Sequence, residues 1–255
     1  MENNAPGPIA ILDSRLLAGR NYEEFLSRRE QEEFLRFRTP VRKSEWLAGR
    51  LSSKFLFLSE CGRVLSVADL ARFPASMYRN TEVTRNDSVR FGLPQVGRGV
   101  EFRDVAISHT SGIACALLGD GETIAVDIER VESRSPVFYR GNFTEGERAR
   151  AAESSRRLNL DPHWTLTLLW SIKECLLKTA AYNDLSVWDM PALDLRVISG
   201  EDDLVHPQSA REFSGFVFLG VEATGRNGAV SRRVAVSGRY DLVITAICGV
   251  DRRTV

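Results

Sequence analysis

Between His163 and Ala181 the chain reads as one long helix that is apolar almost all the way round, and a helix of that kind has to be buried. Leu166, Leu169, Leu176 and Leu177 fill one flank, and Leu168, Ile172 and Cys175 fill the other. Between them Trp170, Glu174 and Lys178 recur at i, i+4 and i+8 along one narrow stripe. A surface helix would not be leucine-rich on both sides of its charges. The stripe is therefore read as functional rather than as the weak ion pair that exposed Glu and Lys usually make. Lys173 points toward the Leu166/Leu177 flank, where an ammonium needs an anionic partner or must reach out to water.

A second helix is expected from Ser44 to Leu58, with Leu47, Leu51, Phe55 and Leu58 on its buried face. Beside that stripe Lys43, Arg50 and Lys54 fall within roughly 40° of one another at about 100° per residue. Each helix is followed by extended runs. After the first come Val105–Ser108, Ile113–Leu118 and Thr123–Glu129, with Gly119-Asp120-Gly121 as a tight-hairpin signal between the last two. After the second come Leu193–Ile198, Phe213–Val221, Arg233–Val236 and Leu242–Gly249, with turns expected at Gly225–Gly228 and at Ser237-Gly238-Arg239. Helix then antiparallel meander, twice over, predicts an α+β, pseudo-duplicated fold of two similar halves, each a long helix packed on a small antiparallel sheet. The joint is expected near Val131–Asn142, where Ser133, Pro136 and Gly141 break the pattern. That gives halves of 1–130 and 131–255, with the active site in the cleft between them.

Composition narrows the function classes. Thirty-four Lys and Arg balance 34 Asp and Glu across 255 residues, which disfavours a generic nucleic-acid binder. With 43% hydrophobic and 27% charged residues the chain has the make-up of an ordinary globule. Cys61, Cys115, Cys175 and Cys248 are scattered, with no CxxC, and read as free thiols of a reducing compartment. No basic leader precedes an apolar run, and no window approaches the ~18 apolar residues of a membrane span, so a cytoplasmic location is expected.

The run Thr123–Glu129 alternates with period two, placing Ile124, Val126 and Ile128 on one face and Ala125, Asp127 and Glu129 on the other. Two carboxylates at i and i+2 stand about 6–7 Å apart at their α-carbons, an arrangement that favours a hard cation such as Mg²⁺ between them. Ser108-His109-Thr110-Ser111-Gly112 sits at a strand-to-strand turn, where hydroxyls and an imidazole could grip phosphate oxygens. Adjacent Ser108 and His109 cannot form a nucleophile–base pair with each other, and no G-x-S-x-G elbow is present. Thr144 with Glu147 three residues on is a capping box, and Glu147 is a secondary candidate for the acidic cluster.

Ile124-Ala125-Val126-Asp127-Ile128-Glu129 followed by Trp170-Ser171-Ile172-Lys173-Glu174-Cys175-Leu176-Leu177-Lys178 resembles the paired signature of the 4'-phosphopantetheinyl transferases. Ser108-His109-Thr110, the segment Arg42–Arg50 and the F-T-x-x-E of Phe143–Glu147 look like the same family, and the length looks like its large, monomeric, surfactin-type class. Two departures are Ala125 in place of the usual glycine and Ala180-Ala181-Tyr182-Asn183-Asp184 in place of a glycine-containing turn. The resemblance implies transfer of the 4'-phosphopantetheine arm of coenzyme A to a serine of an apo acyl or peptidyl carrier protein, with release of adenosine 3',5'-bisphosphate. It implies Mg²⁺ on Asp127, Glu129 and Glu174, with Glu174, or Glu129 through a bound water, as general base. Lys173, Lys178, His109 and Ser108 would meet phosphate oxygens, and Arg42, Lys43, Arg50 and Lys54 the 3'-phosphate and adenine end. The alternative is a catalytically idle relative that binds carrier protein or coenzyme A.

Overall fold

The structure, a computed structural model, describes residues 7–85, 94–119, 123–180, 194–199, 217–225, 228–239 and 241–250. The chain divides into two compact units, Met1–Val126 and Asp127–Val255. Its described residues form a mixed α+β protein with seven α-helices and two largely antiparallel sheets.

The first unit holds strands β1 (Ile9–Asp13), β2 (Arg63–Val64), β3 (Glu82–Arg85), β4 (Pro94–Arg98), β5 (Glu101–Thr110) and β6 (Ile113–Leu118). Its helices are α1 (Arg28–Arg36), α2 (Pro40–Ser59), α3 (Val67–Leu70) and α4 (Ala75–Arg79). Sheet order is β2-β1-β6-β5-β4-β3, with only the β1–β2 pair parallel. α2 lies across β1, β5 and β6. It starts four residues earlier than the apolar stripe indicates, because Thr39 accepts the Arg42 N–H as N-cap and Pro40 takes the first turn, where its missing N–H costs nothing. Leu47, Leu51 and Phe55 are buried as the period requires, and Leu58 packs against them. β5 and β6 close through Ser111 and Gly112 at φ 48° and 82°, the two left-handed residues that a twist-matched two-residue hairpin needs.

The second unit contains α5 (Pro136–Asn142), α6 (Glu145–Leu158), α7 (Pro162–Ala180), β8 (Asp194–Ser199), β9 (Val217–Gly225), β10 (Gly228–Arg239) and β11 (Leu242–Val250). With β7 (Thr123–Arg130), which spans the boundary, these strands form a sheet in the order β7-β11-β10-β9-β8. α7 packs on β11 and α6. Trp164, Leu168, Leu169, Ile172, Cys175 and Leu176 are buried, each large side chain contributing about 1.5–3 kcal/mol.

Leaving β2 aside, the two sheets read β1-β6-β5-β4-β3 and β7-β11-β10-β9-β8. In each, the first strand lies beside the last and the meander runs away from that pair, so the predicted duplication is present in the strand order. Three local expectations are corrected. Gly119 does not open a hairpin, because β6 and β7 belong to different sheets. Ser237-Gly238-Arg239 is not a turn but the end of β10, paired with Ile244, Val243 and Leu242. Pro136 starts α5 rather than breaking a pattern, again as a first-turn proline, with Ser135 as its N-cap. The expected turn at Arg226-Asn227, the loop after Ala180, Leu193, the start of the Phe213 run and the Cys248 side chain lie outside the described residues. Cys61, Cys115 and Cys175 form no disulfide among the described residues. Among the described residues no helix is long and apolar enough to cross a membrane.

Candidate active site

In the second unit the acidic strand is buried, and it meets the charged stripe of α7. Asp127 is almost fully buried. Its Oδ1 accepts from Lys178 Nζ at 2.7 Å and its Oδ2 from Ser171 Oγ at 2.8 Å. Ser171 Oγ lies 2.8 Å from Thr245 Oγ1 on β11, and that hydroxyl lies 3.1 Å from Cys175 Sγ. Glu129 accepts from Trp170 Nε1 at 2.9 Å and from Arg134 Nη2 at 2.6 Å. The Arg134 guanidinium stands 4.6 Å from the Phe138 ring centroid and 5.8 Å from that of Trp170.

Glu174 is partly buried, and its carboxylate has no hydrogen bond or ion pair among the described residues. Burial pushes its carboxyl above the usual glutamate value; the negative charges of Asp127 and Glu129 add to the rise, and Lys178 opposes it. Glu129 is raised for the same reasons, burial first and then Asp127, against the pull of Arg134. Burial alone would lower Lys178, but Asp127 and its hydrogen bond outweigh that and hold the ammonium above its ordinary value. Three carboxylates, those of Asp127, Glu129 and Glu174, share this site with two cations, Lys178 and Arg134.

Lys173 and Glu147 do not join this group. The Lys173 side chain is 0% exposed, and its Nζ donates to Glu147 at 2.7 Å and to the Asn142 carbonyl at 2.8 Å. Glu147 also accepts from its own N-cap, Thr144 N, and from Leu195 N on β8 at 2.8 Å each. A buried ammonium and carboxylate so thoroughly satisfied are structural, which corrects the expectation that Lys173 meets phosphate and that Glu147 joins the acidic cluster. Ser171, Thr245 and Arg134 are the partners of the acidic strand that sequence reasoning missed. Ser171 stands in the quoted signature, but nothing in the chain's pattern links it to Thr245.

The first unit contains a cavity of about 680 Å³, which the predicted residues Arg42, Arg50 and His109 line together with Trp46, Glu33 and Glu45. Arg42 Nη1 donates to His109 Nε2 at 2.7 Å, so the ring proton sits on Nδ1, which faces Glu45 Oε2 at 3.6 Å. Lys43 is not among the lining residues; its Nζ lies 5.1 Å from the Phe34 ring centroid. Ser108 is buried and away from the cavity, because period-two alternation on β5 sends Ile107 and His109 into it and Ser108 to the opposite face. Lys54 is a further correction. Its side chain is 0% exposed, paired with Glu30 and donating to the carbonyls of Phe25 at 2.9 Å and Tyr78 at 3.0 Å, so no ligand reaches it. Burial lowers Lys54 and Lys173 below the ordinary lysine value, and their glutamate partners oppose that fall.

The donors of the second unit match Mg²⁺ in kind, being hard carboxylate oxygens. Among the described residues no group of three or more His, Cys, Asp or Glu side chains stands at metal-holding spacing. Lys178 and Ser171 already engage Asp127, and Arg134 and Trp170 engage Glu129, so an arriving cation would share or replace these donors.

Residues 123–223 match the model of the 4'-phosphopantetheinyl transferase superfamily. The matched stretch carries Asp127, Glu129, Glu174 and Lys178 and ends before Thr245; it does not reach the cavity of the first unit. No curated protein matches the sequence.

Proposed function

We propose that the protein is a Mg²⁺-dependent 4'-phosphopantetheinyl transferase of the large, surfactin-type class. It would move the phosphopantetheine arm of coenzyme A onto a serine of an apo acyl or peptidyl carrier protein and release adenosine 3',5'-bisphosphate. The superfamily match supports a transferase of the phosphopantetheinyl type. The observation that supports the finer reading is geometric: Lys178 and Ser171 of α7 both donate to buried Asp127, which brings the charged stripe of the helix onto the acidic strand.

Asp127, Glu129 and Glu174 are the residues that would hold the ion. Bound there, Mg²⁺ would offset charge growing on the pyrophosphate oxygens. Glu174 accepts the proton of the carrier serine; Glu129 acting through a bound water is the alternative. Lys178, held charged by Asp127, stabilises negative charge on the phosphate. Arg42 and Arg50 receive the 3'-phosphate end of coenzyme A, with His109 beside Arg42. The protein works in the cytoplasm as a monomer.

The test is mass spectrometry of a panel of apo carriers incubated with protein, coenzyme A and Mg²⁺. The expected result is a covalent gain of one phosphopantetheine group, reduced about 10²–10³-fold by Asp127→Ala or Glu174→Ala in protein that remains folded. Tight binding of coenzyme A or carrier with no covalent gain would instead identify a catalytically idle binder.

A further inference from the structure

We infer that Glu33 is a built-in competitor for the phosphate site at Arg50, so that the cavity of the first unit admits nucleotides by their terminal phosphate and rejects uncharged nucleosides. The inference rests on the proposed reading of that cavity as the seat of a phosphorylated nucleotide, and it adds the selectivity of the seat.

The two partners of the Arg50–Glu33 pair are held very differently. The Arg50 side chain is 12% exposed and its guanidinium lies 4.5 Å from the Trp46 ring centroid, with Glu30 Oε1 3.9 Å from its Nε. Glu30 is itself immobile, accepting from Lys54, Ser27 N and Val83 N. The guanidinium is therefore fixed in place. Glu33 is 44% exposed on α1, and its hydrogen bonds among the described residues go only to Arg50 Nη2, at 3.4 and 3.3 Å, and to Trp46 Nε1 at 3.2 Å. Half in water, this carboxylate can swing out of the cavity while Arg50 stays.

A carboxylate bridging a guanidinium and an indole N–H occupies the positions that two oxygens of a phosphate monoester would take. A dianionic phosphate replaces it with more charge and a third oxygen. A hydroxyl or a neutral nucleoside cannot, so such a ligand pays for dislodging Glu33 without recovering the contact. The acid thereby lowers affinity for every ligand at this position and lowers it least for the one that carries a phosphate.

The experiment titrates wild-type, Glu33→Gln and Glu32→Gln protein with adenosine 3',5'-bisphosphate and with adenosine by calorimetry, with thermal melts confirming that each variant is folded. Glu32 lines the same cavity and pairs with Arg28, so its substitution changes the cavity charge equally without touching Arg50. Glu33→Gln is expected to tighten bisphosphate binding about two- to five-fold, the factor that an exposed ion pair represents, with Glu32→Gln giving a smaller gain. It is also expected to narrow the preference for bisphosphate over adenosine. Unchanged or weaker binding by Glu33→Gln, or an equal gain in Glu32→Gln, overturns the inference; Glu33→Ala must rank with Glu33→Gln or the same conclusion follows. Failure of the wild-type protein to bind bisphosphate at all defeats the reading of the cavity itself, and with it the inference.

Discussion

The two units contain the same buried device. In each, a Ser or Thr N-cap and the glutamate three residues on close a capping box, Ser27 with Glu30 on α1 and Thr144 with Glu147 on α6. In each, that glutamate takes a fully buried lysine of the following long helix and a backbone N–H of the edge strand: Lys54 and Val83 in the first unit, Lys173 and Leu195 in the second. The lysine also donates to the carbonyl two residues before the N-cap, Phe25 or Asn142. What differs is the residues around it. One place after the lysine stands buried Phe55 in α2 but Glu174 in α7, and five places after stand Ser59 and Lys178. The buried pair is thus the common scaffold, and the proposed chemistry falls on positions where only the second unit departs from apolar or neutral residues.

The strongest way to break this comparison is to remove the lysines. Lys54→Met and Lys173→Met should each destabilise the protein by about 3–5 kcal/mol, since each removes the ammonium that donates to a buried carboxylate. Glu147→Gln added to Lys173→Met should recover part of that loss, because no uncompensated charge then remains. Denaturant unfolding checks both statements, and transfer measured per folded molecule should fall little. If Lys173→Met kept wild-type stability but lost turnover, Lys173 would meet phosphate after all and the likeness to Lys54 would be superficial.

How much of this could be seen in the chain alone follows from the range of each interaction. The helices, the buried face of α2 and the alternation of β7 depend on neighbours within a few residues, and period alone exposes them. The Thr144–Glu147 box was legible for the same reason. The fate of Lys54 was not. Its angular position beside Lys43 and Arg50 suggested a cationic face, but Glu30, Phe25 and Tyr78, which enclose it, are more than twenty residues away and carry no periodic mark. Ser237-Gly238-Arg239 misled because a small-residue cluster signals a turn only when no partner strand holds it, and β11 does. In the site, Asp127, Glu129 and Glu174 stand out as residue types at fixed spacing, whereas Ser171–Thr245 joins elements 74 residues apart and exists only once β11 is in place.

A smaller effect sharpens the contrast between Glu174 and Phe55. The raised carboxyls of Glu129 and Glu174 bind a proton more tightly folded than unfolded. Their contribution is therefore complete below the ordinary glutamate value of 4.5 and is lost as pH rises through the higher folded value. In divalent-free buffer, Glu174→Gln should accordingly melt higher than wild type at pH 7, by roughly 2–4 °C for each kcal/mol relieved, and the gain should vanish near pH 4. Added Mg²⁺ should raise the wild type toward the variant. A variant that melts lower at pH 7 would mean that Glu174 stabilises the unit as Phe55 does.

The smallest expected effect separates two serines that occupy matching places, two residues before each buried lysine. Ser52 Oγ is buried and has no hydrogen-bond partner among the described residues, so the helix tolerates an idle hydroxyl there. Ser171 Oγ instead spans Asp127 and Thr245, which orients the carboxylate from its second oxygen while Lys178 holds the first. Thr245→Val keeps the shape and removes the hydroxyl's contacts with Cys175 Sγ and with Ser171 Oγ, the latter a neutral hydrogen bond worth about 1 kcal/mol, or roughly five-fold in an equilibrium constant. Half-saturation by Mg²⁺ in the transfer assay, and Mn²⁺ affinity followed by paramagnetic resonance, should both weaken by about that factor, while the rate at saturating metal stays near wild type. Ser171→Ala should weaken both by at least as much, and the double variant by less than the product, because the two hydroxyls form one chain. Ser52→Ala should change neither. Were Thr245→Val to leave both metal readouts unmoved, Ser171 would be as idle as Ser52, and Asp127 would owe its position to Lys178 and the strand alone.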